Sequence, residues 1–141
     1  MKKVLAITAI AAMMSATAFA STSAPVPELG QDINAYEKYA IEQTEDEVAR
    51  VITMDNNVVL RAAASTGEIM EIDYEEPGSE YGGVAIGSEF GFEKSMGVHI
   101  SSWSHSDKVY HMFRQHDGSM TRYATANGRV IGISRISPKA D

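Results

Sequence analysis

The chain has 141 residues, twelve basic and nineteen acidic side chains, a formal net charge of −7 and no cysteine. Without cysteine there can be no disulfide, thiolate metal site, cysteine nucleophile or lipidated cysteine, so no lipid anchor is expected. The acidity argues against nucleic acid as a partner, because phosphate contacts select a basic domain.

Residues 1–20 read as a signal peptide. Lys2 and Lys3 precede an apolar run from Val4 to Met14, and Ala18-Phe19-Ala20 offers a cleavage site before Ser21. The run is shorter than the roughly 20 residues of a membrane span, and nothing later is apolar for that length. The expected product is soluble, without a membrane span, and periplasmic or secreted. Removing the leader leaves ten basic against nineteen acidic residues, a net of −9. From Glu28 to Glu93 sixteen acids face three bases, whereas from Lys94 to Asp141 seven bases face three acids. The two halves attract one another, or the basic one faces an anionic partner.

Residues 21–31, "STSAPVPELGQ", suggest a flexible leader, and residues 32–141 a single domain. Asp32 is placed to cap a helix. Ile33, Tyr36, Ala40, Thr44, Val48 and Val51 recur at steps of three and four, predicting an amphipathic helix from Ile33 toward Arg50. Thr44 and Glu47 have capping-box spacing, so the helix can restart there, while "VARVITM" fits a strand equally well.

Beyond Asn57, turn pairs such as Thr66-Gly67, Pro77-Gly78, Asp117-Gly118 and Asn127-Gly128 separate segments rich in Val, Ile, Tyr and Thr. Strands are predicted near 58–63, 68–74, 83–87, 95–103, 108–116, 119–126 and 129–136. In "EIMEIDYEE" the alternation puts Met70, Ile72 and Tyr74 on one side and Glu71, Asp73 and Glu75 on a side that should face water. "EEPGSEYGG" is predicted to be a mobile loop. The fold class is therefore α+β: an N-terminal amphipathic helix followed by an antiparallel β-meander, either an open curled sheet or a small barrel.

Asp-Gly and Asn-Gly between strand-like runs predict hairpins with two-residue type I′ loops. Asp117-Gly118 as such a loop puts Phe113 opposite Arg122 and Met112 opposite Tyr123; the "SHSD" turn puts His99 opposite Met112. One face then carries Val98, Ile100, Val109, His111, Phe113, Ala124, Ile131 and Ile133 and is the predicted core, with His111 buried and neutral. The other carries His99, Trp103, Tyr110, Met112, Arg114, Tyr123, Thr125 and Val130. Of these, His99, Trp103, Tyr110, Arg114 and Tyr123 are the candidate partner-binding residues, since large aromatics with arginine suit stacking and docking.

Four histidines invite a metal reading. In these registers His99 and His111 point to opposite faces, and His105 and His116 lie at different hairpin tips, so no metal site and no cofactor is expected. "SWSHSD" has no G-x-S-x-G elbow and no triad spacing, so no catalytic residue is assigned. The function expected from sequence is a non-enzymatic exported module that binds a protein or cell-envelope ligand through its aromatic and basic sheet face. The alternatives are a small-ligand carrier with a barrel lumen and, third, a small envelope hydrolase. Nothing in the sequence sets the oligomeric state.

Overall fold

The structure, a computed structural model, describes residues 3–6 and 25–140. The expected cleavage site at Ala20/Ser21 and the start of the leader lie outside the described residues. The chain divides into two units, Met1–Met70 and Glu71–Asp141. It is mostly β, antiparallel and meander-like, with short 3-10 helices at Ile33–Tyr39 and Lys94–Met96 among the described residues, and the sheet is not closed. Of the two forms the sequence allowed, this is the open sheet.

In the first unit the strands are β1 (Lys3–Ala6), β2 (Ala40–Glu45), β3 (Ala49–Met54) and β4 (Val59–Ala63), each hydrogen-bonded antiparallel to the next. Strand β1 falls in the stretch read as an export signal, and it pairs Lys3 with Glu45 and Ala6 with Glu42. Gly30 and Gln31, placed with the leader from sequence, are tied down: Gly30 N donates to the Ile69 carbonyl, and the Gln31 carbonyl accepts from Ile69 N. Asp32 is the expected cap, its Oδ1 accepting from Asn34 N at 2.9 Å.

The helix is shorter than predicted. It is a 3-10 helix, Ile33–Tyr39, ending where Ala40 turns to extended backbone at ψ 134°. The stretch expected to continue it is a β-hairpin: Thr44 and Val51 face each other across β2 and β3, and Val48, 79% exposed, lies in the turn between them. In β2 the register shifts between Ala40 and Glu42, so Ala40 and Gln43 are both buried at a spacing of three. Asp46 also replaces the predicted Thr44–Glu47 cap: its Oδ1 accepts from Val48 N and Ala49 N at 2.8 and 2.9 Å and reverses the chain. Arg50 on β3 pairs with Glu37 and donates to Asn34 and Gln43, joining helix to hairpin. Ile33, Tyr36, Ile52, Met54, Leu60 and Ile69 are buried in this unit.

The second unit contains the rest of β5 (Ile69–Tyr74), the short β6 (Glu80–Tyr81) and β7 (Val84–Ala85), then β8 (Val98–His105), β9 (Lys108–Arg114), β10 (Met120–Ala126) and β11 (Arg129–Ile136). The order is β5-β11-β10-β9-β8, which leaves β8 at the edge. "EEPGSEYGG", predicted to be mobile, instead leads into the β6–β7 hairpin, with Tyr81 stacked on Tyr74 at 6.0 Å. The predicted polar side of β5 does not wholly face water. Asp73 is only 9% exposed, and its Oδ1 has no hydrogen-bond partner among the described residues.

Two turns set the register of β9, β10 and β11. Asn127 (φ 53°) and Gly128 (φ 78°) are both left-handed, as a type I′ loop requires, and Ala126 faces Arg129 as expected. A bulge then shifts the pairing so that Arg122 faces Ser134, not Ile133. At Asp117-Gly118 only the glycine has positive φ, so the loop is not type I′. It is a three-residue loop, with Gly118 N donating to the Gln115 carbonyl and Gln115 N to that of Ser119. Asp117 Oδ1 accepts from Ser119 N at 2.9 Å and Ser119 Oγ at 2.6 Å, which holds its carboxyl below the usual range. That one added residue moves β10 by one position relative to the prediction, and a slip of one exchanges its faces.

Candidate ligand-binding face

With Phe113 opposite Thr121 and His111 opposite Tyr123, the buried face of the second unit carries Phe113, His111, Thr121, Tyr123, Thr125, Val130 and Ile133. Tyr123, expected in the binding site, is 2% exposed and belongs to this core. Its ring meets Phe113 edge-on at 5.6 Å. Burial, helped by Tyr81 and Glu93, raises its phenol pKa to about 12.

His99 is the second correction. In β8 a bulge between His99 and Ser101 places His99 opposite Phe113, on the same side as His111 rather than with Trp103. The prediction that His99 and His111 point to opposite faces is overturned. Ser102 Oγ lies 2.8 Å from His99 Nε2 and 2.7 Å from His111 Nδ1, bridging the two rings. Phe90 stacks on His111 at 4.3 Å, and Phe92 packs edge-on against both imidazoles. Desolvation first, and the neighbouring His99 second, lower the His111 pKa. His111 is therefore the hydrogen-bonded histidine, favouring its neutral form, that the sequence suggested, although it is half-buried rather than buried. Among the described residues no three His, Asp or Glu side chains are grouped to hold a metal ion.

The opposite face keeps Trp103, Tyr110 and Arg114 and gains Arg122. The Ser106-Asp107 loop, with Ser106 at φ 59°, pairs Trp103 with Tyr110. Their rings stack at 5.5 Å and 19°. The Arg122 guanidinium lies 5.9 Å from the Tyr110 ring, donates to Ser134 Oγ at 3.1 Å and stands 3.8 Å from Glu71. Arg114 is exposed, Met112 and Tyr110 are half-buried, and Trp103 keeps 40% of its surface in water. Stacked rings with a guanidinium at one end, itself paired with Glu71, offer a flat π surface bordered by N–H donors. That combination binds planar groups, the C–H faces of sugars and anionic substituents.

Sequence reasoning missed Arg122, Ser102, Phe90 and Phe92. The first was detectable. The expected register set Arg122 opposite Phe113 on the core face, and a buried unpaired guanidinium there is costly enough to question the register itself. Phe90 and Phe92, in "EFGFE", gave a weaker signal: two large apolar residues outside any strand must cover something. Comparison with protein-family models, curated proteins and solved structures finds no match to this chain.

Proposed function

We propose that the chain is an exported, non-enzymatic binding module that takes up a protein or cell-envelope ligand on the Trp103–Tyr110–Arg122 face. The observation that carries this reading is a stacked Trp–Tyr pair held by backbone register and left partly in water. Large aromatics and arginine dominate binding energy where they cluster. The signal-like residues 1–20 support the exported setting, and the net charge of +4 over residues 94–141 supports an anionic or hydroxyl-rich ligand. His99 and Tyr123 support the face from behind and are not part of it.

Trp103 is the only tryptophan in the sequence, so its emission reports this face without background. Titration with envelope polysaccharide fragments and with envelope protein extract should shift or quench that emission saturably, and Tyr110→Ala should weaken the response roughly tenfold or more. Emission unchanged by both classes of ligand would refute the proposal.

A further inference from the structure

We propose that β8 pairs edge to edge with β8 of a second copy of this chain, antiparallel about a twofold axis at Trp103. Strand β8 ends the sheet order, and among the described residues nothing pairs with its outer side. It is eight residues long, all exposed, with Val98 at 60%, Ile100 at 41% and Trp103 at 40%.

Sheet edges are normally defended by charge, proline or brevity, and "VHISSWSH" has no lysine, arginine, acid or proline. The single irregularity of β8, the bulge between His99 and Ser101, confines regular backbone to Ser101–His105, and Trp103 is the middle of that segment. An isologous contact repeats the same residues on both sides, so Trp103 faces Trp103, Ser102 faces Ser104 and Ser101 faces His105. No pair sets like fixed charges opposite one another, and the central pair is aromatic, which favours cross-strand contact. The copy supplies the backbone donors and acceptors that the edge lacks, and the dimer sets two Trp103–Tyr110 faces side by side on one continuous sheet.

The test is sedimentation equilibrium of the full chain over a concentration series, with amide hydrogen exchange read at Ser101–His105. The expected result is a monomer–dimer equilibrium in which exchange at the amides of this segment that point away from β9 slows by roughly tenfold or more as dimer forms. Ser101→Lys and Ser104→Lys, at exposed positions outside the Trp103–Tyr110 stack, should each shift the chain to monomer, with a melting temperature equal to that of the wild type at dilutions where the wild type is itself monomeric. Three results would overturn the proposal: a monomer throughout the series, a dimer whose β8 amides exchange as in the monomer, or a dimer that persists in both lysine variants. Ligand-induced change in Trp103 emission is read separately, so loss of dimerisation does not count against the proposed binding face.

Discussion

The placement of Tyr123 in the core yields a prediction at alkaline pH. Its phenol is raised from 10.0 to about 12, chiefly by burial. An acid whose folded pKa lies above its unfolded value stabilises the fold below the unfolded pKa, and that contribution is lost as pH rises through the folded one. The unfolded chain releases its proton near pH 10 while the folded chain holds it, so stability should fall between about pH 10 and pH 12. At 1.36 kcal/mol per unit of pKa, the shift corresponds to about 2–3 kcal/mol. Urea denaturation of the wild type and of Tyr123→Phe at stepped pH measures it. The wild type should lose this increment across the window and the variant should not, and one tyrosine should titrate late when phenolate absorbance is followed. If all tyrosines titrate together near pH 10 and Tyr123→Phe has no effect on the alkaline slope, Tyr123 faces water and the register described here is wrong.

Other perturbations test separate parts of the fold. Burial, with His99 beside it, lowers the His111 pKa, so near its ordinary value the unfolded chain binds the extra proton; the melting temperature should climb as pH rises toward and through about 6.5, and His111→Gln should flatten the climb. Gly97 has φ 104°, and a Cβ there would lie 2.6 Å from the Arg114 carbonyl oxygen. Gly97→Ala should therefore cost about 2–3 kcal/mol in chemical denaturation, against about 1 kcal/mol for Gly128→Val, where only the backbone conformation objects. Asp73 buries an oxygen without a hydrogen bond, so Asp73→Val, which removes that oxygen and suits a strand, should raise stability by about 1 kcal/mol; a loss would show that the carboxylate is paired in solution.

Much of the β architecture was legible because its punctuation was local. Asp32, Asn127-Gly128 and the strands flanking that turn carry their own chemistry in adjacent residues, and they fall as expected. In the first unit, steps of three and four from Ala40 to Val51 suggested a helix although they run through a hairpin. In the second unit, what failed depended on single inserted residues: the bulge in β8 moved His99 across the sheet, and the third residue of the loop after Gln115 exchanged Tyr123 for Arg122. Bulges and loop lengths arise from strand twist and side-chain fit between distant segments, so the alternation of one strand cannot contain them. Trp103, Tyr110 and Arg114 stayed together because the Ser106-Asp107 turn differs from the expected one by two positions, and a shift of two preserves faces.

The central claim is that the Trp103–Tyr110–Arg122 face binds while the opposite face holds the fold. Affinity capture from envelope extract by the wild type, Trp103→Ala and Phe113→Ala, with a melting curve for each, tests it most directly. Trp103→Ala should lose captured ligand by about 1–4 kcal/mol in affinity while melting close to the wild type, and Phe113→Ala should melt far lower, in keeping with a cost of about 3–5 kcal/mol for a buried aromatic. Equal capture by Trp103→Ala and the wild type, or a Trp103→Ala variant as unstable as Phe113→Ala, would contradict the assignment of the face.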